Sequence, residues 1–234
     1  MTSLVIHRVT TLDLAVRPIV WAFAEERRAD ITAHFAEKQR ERPRLWNGRV
    51  LLGRDAVFTD GHLAATYFET DFASFLAWRD WGFPDTAVFN GFGMGALRTS
   101  DGAFIMGEMA QHTANEGRIY FPSGTPDLDD IRDGVLDIRG SVVRELGEET
   151  GLTATEYWAE PDWHCVVTKE AIAMIQILNL DMPGDAARAR IEANLAREAE
   201  PELSAIHLVR GVSDLTPSMP RFVTAFVEQQ FASR

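Results

Sequence analysis

At 234 residues and a formal net charge of -12, the chain is long enough to bury a sizeable core and too acidic to present a general nucleic-acid or anionic-membrane surface. Its single cysteine, Cys165, excludes an intramolecular disulfide framework and fits a reducing compartment. No stretch reaches the roughly 20 apolar residues that span a bilayer, and Met1-Thr2-Ser3-Leu4-Val5-Ile6-His7-Arg8 lacks the pattern of a signal peptide, so a soluble, cytoplasmic protein without a membrane or nucleic-acid partner is expected.

Residues 3 to 16 read as a strand or extended arm. Pro18 then opens a helical pattern through Trp21, Phe23, Ile31 and Phe35 that Pro43 ends. Gly48 to Arg54 and Leu63 to Phe68, joined through Asp60-Gly61, predict an antiparallel hairpin, and Asp71 caps a short aromatic helix that Gly82-Phe83-Pro84-Asp85 breaks. Residues 1–85 hold enough apolar surface to pack as a smaller α+β subdomain, leaving 86–234 as the main domain.

From Ala87 the pattern turns to strands: Val88 to Leu97, Ala103 to Met109 after Ser100-Asp101-Gly102, and Arg118 to Phe121. Gly91, Gly93 and Gly95 within the first of these mark close packing, because no helix follows to supply an anion-binding terminus. An acidic loop leads to a helix with Asp137 as N-cap and Gly151 as left-handed cap, interrupted by Gly147, which close packing would explain. Strands at Thr155 to Val167 and Ile172 to Leu180, a helix from Asp185 to Glu198, a short strand from Ile206 to Val209 and a helix from Pro220 to Phe231 complete the chain.

The 137–151 helix carries the chemistry. Glu145, Glu148 and Glu149 stand at i, i+3 and i+4, where like charges repel, and they crowd the negative end of the helix dipole. Such an accumulation predicts a bound cation. Oxygen ligands select a hard divalent ion, Mg2+ or Mn2+.

The run Arg144-Glu145-Leu146-Gly147-Glu148-Glu149-Thr150-Gly151-Leu152 resembles the second half of the Nudix box at every specified position. The resemblance implies an α/β/α sandwich with a mixed sheet, an α+β fold, and a metal-dependent hydrolase cleaving the pyrophosphate of a nucleoside diphosphate derivative. It makes Glu145, Glu148 and Glu149 metal ligands and Arg144 the partner that orients them, with Glu145, Glu148 and Arg144 as the catalytic set. The first half of the box departs from the pattern: its glycine and glutamate positions hold Asp130 and Leu136. Gly124, in Tyr120-Phe121-Pro122-Ser123-Gly124, is the better glycine, on a loop six residues longer than usual, and Asp127 stands in for the glutamate. The amino-terminal part, through Arg44-Leu45-Trp46-Asn47-Gly48, weakly resembles the extension of UDP-sugar-cleaving members, which points to a nucleotide sugar.

A later acid among Glu198, Glu200 and Glu202 is a candidate further ligand or base, with Glu200 taken beside Gly124 and Asp127 as substrate-binding. His164, Tyr157, Trp158 and Trp163 are candidates for substrate contact but read more simply as strand and core residues, as does Cys165. The expected partner is a small-molecule nucleotide, and family members are often homodimers. The alternative is a Nudix domain that has lost catalysis and senses a nucleotide.

Overall fold

The computed structural model describes residues 4–232. Ser3, the first residue of the expected arm, lies outside them.

Two short strands open the chain, β1 (Val5–Val9) and β2 (Thr11–Val16), followed by helices α1 (Ala22–Glu26) and α2 (Arg28–Glu41). The expected hairpin is β3 (Arg49–Thr59) and β4 (His62–Asp71). Its two turn residues, Asp60 and Gly61, both have positive φ, the geometry that matches the twist of paired strands. The Asp71 carboxylate accepts the Ser74 amide hydrogen and caps α3 (Phe72–Asp80).

Beyond it lie β5 (Val88–Arg98), β6 (Phe104–Met109) and β7 (Ile119–Tyr120). The acidic loop holds more order than expected. A 3-10 turn at Leu128–Asp130 leads into a miniature hairpin, β8 (Ile131–Arg132) and β9 (Val135–Leu136), reversed at Asp133-Gly134 with both φ positive. Then come α4 (Ile138–Thr150), β10 (Tyr157–Val167), β11 (Ala171–Leu180), α5 (Gly184–Leu195), β12 (Leu203–Val209) and α6 (Arg221–Ala232).

The strands form one mixed sheet in the order β1-β10-β11-β5-β3-β4-β2-β9-β8, with β6 joined to β5 and flanked by β7 and β12. The β5–β11 and β2–β4 pairs are parallel, and the rest antiparallel. The sheet crosses the boundary expected at residue 85. β1 satisfies the edge of β10 from Val5↔Val167 to Val9↔Trp163, and β3 joins β5 at Gly53↔Phe89 and Arg54↔Val88. Leu14, Leu51 and Tyr67 share the main core with Met94 and Ile175. Two smaller clusters complete the packing: one around Trp21, Phe68 and Trp78, which Val88 of β5 also joins, and one around Ile31, Phe35 and Leu76 that lies wholly within the first part.

Successive residues of a strand face opposite sides of its sheet. On β5 this puts Gly93 and Gly95 under α4, while Phe92 meets Phe222 of α6 at 5.6 Å, so helices cover both faces. The glycines are required. A Cβ on Gly93 would lie 2.6 Å from Val142 and 2.8 Å from Ile138, and one on Gly95 2.9 Å from Leu178. Gly147 differs from the expectation: a Cβ there would meet nothing nearer than the Leu152 carbonyl oxygen at 3.6 Å, so packing does not demand glycine.

Two measurements follow. By urea unfolding, Gly93→Ala should lose about 1–3 kcal/mol through overpacking, while Gly147→Ala should gain up to about 1 kcal/mol because it removes a helix-interior glycine without a clash. Burial alone would raise the Asp71 carboxyl, but hydrogen bonds from Arg28 and Ser74 outweigh it and hold it below the ordinary range. Its contribution is therefore complete above the unfolded value near 3.9 and is lost as pH falls through the lower folded value. Asp71→Ala should cost about 1–2 kcal/mol at neutral pH and flatten the loss of stability on acidification.

Candidate functional site

The site begins with how α4 is held. The Asp137 carboxylate accepts the Gly140 amide hydrogen at 2.9 Å at one end, and Gly151 at φ 69° closes the other. Between them Ile138, Val142 and Leu146 are buried on the sheet. This fixes the rotation of the last turn.

Of its three glutamates, Glu149 is 3% exposed, Glu145 half-buried and Glu148 open to solvent. Glu149 Oε1 accepts the Ser123 amide hydrogen at 3.1 Å. The Glu145 carboxylate lies directly against Gly124, where any Cβ would overlap it. Pro122 in turn accepts the Gly95 amide hydrogen at 3.1 Å, which ties the segment after β7 to β5. A side chain at Gly124 would therefore require the Glu145 carboxylate to move.

The arrangement is electrostatically tense. Burial pushes the Glu149 carboxyl up to about 8, and the neighbouring charges of Glu145, Glu202 and Glu148 add to it against the Ser123 hydrogen bond. Burial likewise pushes Glu145 up to about 7, with Glu148 and Glu202 adding to the rise and Arg144 opposing it. Oxygen donors alone, Glu149 buried and Glu145 half-buried and mutually repelling, fit a hard divalent cation in donor type and charge. Among the described residues no three acidic, histidine or cysteine side chains stand close enough together to form a ready-made metal cage.

Arg144 answers part of the tension. Its Nη1 lies 2.9 Å from Glu145 and 3.4 Å from Glu148, and its Nη2 donates to both oxygens of Asp130, at 3.0 and 3.2 Å. Asp130 is 3% exposed and also accepts from the Ser141 hydroxyl and the Asp127 amide. Asp127, expected to stand in for the glutamate, caps the 3-10 turn by accepting from the Asp129 amide. The acid that holds Arg144 is Asp130. Leu136, at the position of the expected glutamate, is buried in the main core on β9. The lengthened loop uses that position for packing and brings the acid from six residues earlier.

The later acids separate. Glu200 is exposed and gripped by Arg44, whose Nη1 donates to its two oxygens at 2.8 and 2.7 Å, so the geometry gives it a partner in the α2–β3 loop. Glu198 accepts from the Asn194 side chain. Glu202 is the one whose charge reaches Glu145, Glu149 and Tyr120. His164 is buried with its ring 5.3 Å from Phe226, and burial together with Arg8 holds its pKa down. Cys165 is fully buried, its thiol pushed up to about 12 by burial.

A cavity of about 540 Å³ adjoins the glutamates at Ser123 and Gly124 and runs along β5 between α3 and the start of α6. Tyr157, Trp158 and Trp163 do not line it; aromatic side chains of α3, β5, β7 and α6 do. Sequence reasoning missed this contribution of α3, whose aromatic pattern carried no signal beyond that of a buried helix.

No family model matches the chain, and no curated protein matches it. Solved structures do. They include a Nudix hydrolase from M. smegmatis, RenU, at 14% identity over 61% of this chain and 83% of that one, with a TM-score of 0.38. The MutT protein of Methanosarcina mazei Go1 is 16% identical over 62% and 94%, TM-score 0.36. Tm1382, titled as a Nudix hydrolase whose assignment is itself provisional, is 11% identical over 78% and 100%, TM-score 0.42.

The two loop acids can be ranked by unfolding. Asp130→Ala, which strands a partly buried guanidinium, should cost about 1–3 kcal/mol, and Asp127→Ala about 1 kcal/mol or less. Equal losses in chemical denaturation would contradict the assignment of Asp130 as the Arg144 anchor.

Proposed function

We propose that this chain is a Nudix hydrolase that cleaves the pyrophosphate linkage of a nucleoside diphosphate derivative, with a nucleotide sugar as the leading candidate substrate. The observation that carries the reading is the meeting of Glu145 and Glu149 with the Ser123-Gly124 segment at one end of a ligand-sized cavity. The nine-residue motif and the oxygen-only donor set support it.

Glu145, Glu148 and Glu149 would hold Mg2+ or Mn2+. Such an ion, when bound, neutralises phosphate charge and acidifies a water for attack on phosphorus. The chain's own residues do the rest. Arg144, anchored on Asp130, keeps the Glu145 carboxylate turned toward Gly124. The Ser123 amide fixes one oxygen of Glu149 and leaves the other free. Gly124 lets the Glu145 carboxylate lie against the backbone, where a side chain would displace it. Glu202, exposed and with its charge felt at both Glu145 and Glu149, is the acid assigned to accept the proton of an attacking water.

A second reading, a domain that binds a nucleotide without cleaving it, is favoured by the lack of three converging metal-binding side chains among the described residues. Chromatographic detection of the nucleoside monophosphate and its phosphorylated co-product, from a panel of nucleotide sugars, dinucleotides and nucleoside triphosphates, separates the two. The expected outcome is turnover that requires Mg2+ or Mn2+, is abolished by EDTA, and falls at least about a hundredfold in Glu149→Gln. Binding without turnover would favour the sensor. Turnover that survives both EDTA and the substitution would sink the metal assignment.

A further inference from the structure

The cavity beside Gly124 is walled by six aromatic side chains, Phe72, Phe75, Phe83, Phe92, Tyr120 and Phe222. Three of the six, Phe72, Phe75 and Phe83, come from α3 and the loop after it, within the first 85 residues. They are arranged as walls: Phe72 and Phe75 meet edge to face at 5.9 Å, and Phe92 and Phe222 do so at 5.6 Å. Asn90, on β5, also lines the cavity. Its side-chain oxygen is buried and has no hydrogen-bond partner. Buried polar atoms are rarely left so, and an orphaned acceptor beside a cavity is explained most directly by a donor that arrives with a ligand.

At the same cavity, Arg79 is engaged by Asp80 and Arg221 by Glu228, while Arg118 is exposed and makes no ion pair among the described residues. Aromatic walls suit a flat ring, which a sugar is not. One orphaned acceptor suits a single N–H at the edge of that ring, and one uncommitted guanidinium suits a phosphate.

We propose that this cavity is a nucleobase pocket built jointly by the amino-terminal extension and the main domain, in which Asn90 accepts an N–H from the base edge and Arg118 meets the adjoining phosphate. The proposal deepens the hydrolase reading, on which it rests for the identity of the ligand. The extension thereby selects the base, and the glutamate helix acts on the phosphates. Asn90 is a specificity-determining residue.

The test is calorimetric titration of the whole chain, in EDTA, with the 5'-monophosphates of uridine, cytidine, adenosine and guanosine and with the matching nucleosides. At least one monophosphate should bind, preferred over the others. Asn90→Leu should weaken it at least tenfold, and Phe72→Leu, a milder change on α3, severalfold. Arg118→Ala should weaken the monophosphate while leaving its nucleoside unchanged. Thermal melts of each variant separate lost recognition from lost folding, and Phe72→Leu keeps the proposal testable should Asn90→Leu unfold. Wild-type binding by folded Asn90→Leu, or no binding of any monophosphate at millimolar concentration, would overturn it. Because the titration does not read cleavage, monophosphate binding without cleavage of any substrate in the panel refutes the hydrolase and leaves the pocket standing, and cleavage without base preference does the reverse.

Discussion

Everything at the site depends on how closely α4 lies on β5. Two residues without side chains, Gly93 and Gly95, let Ile138, Val142 and Leu146 settle onto the strand. Interiors pack at crystal-like density, so a helix seated this way has little freedom to rotate or slide. The rotation that buries those three residues also turns Glu145 and Glu149 toward Pro122, Ser123 and Gly124. A contact made of nothing but van der Waals fit thus sets the position of the charges.

Those charges are placed where the local physics opposes them: at the negative end of a helix, among one another, and largely out of water. The chain relieves this only partly, through Arg144 and the Ser123 amide. Arg144 itself would be adrift without Asp130, which is held by α4 through Ser141 and by the loop through the Asp127 amide. Hydrophobic packing, the Asp130 anchor and the residual repulsion between Glu145 and Glu149 form one chain of cause. What is left over is a demand for positive charge at a place a phosphate can reach.

The sequence exposed much of this because its strongest signals are local. The Asp137 and Gly151 caps bracket α4 as they bracket its sequence pattern, the glycines of β5 pack closely, and Asp60-Gly61 turns the hairpin. Signals that act across distance were not visible. Asp130 stands 14 positions before Arg144, where a glycine was expected, and only the fold reveals that the β8–β9 hairpin returns it to the arginine. The Asp133-Gly134 turn that makes this hairpin was present in the chain but flanked by runs of two residues, too short to register as strands. Glu200 and Glu202 are indistinguishable by pattern, and their roles part because one meets Arg44 and the other does not. Aromatic residues of α3 look alike in sequence whether they face a core or a cavity.

The pairing of β1 with β10 has a consequence in time as well as space. Val5 to Val9 must find partners more than 150 positions further along the chain, Val5 with Val167 among them. A ribosome adding about 5–20 residues per second needs roughly ten to thirty seconds to cover that distance. Throughout that interval the first strand exists without the edge it belongs to, and closing so long a loop is a late, slow event compared with local helix and hairpin formation. β1 is therefore made well before β10 and can be secured only after it, so its docking completes that edge of the sheet.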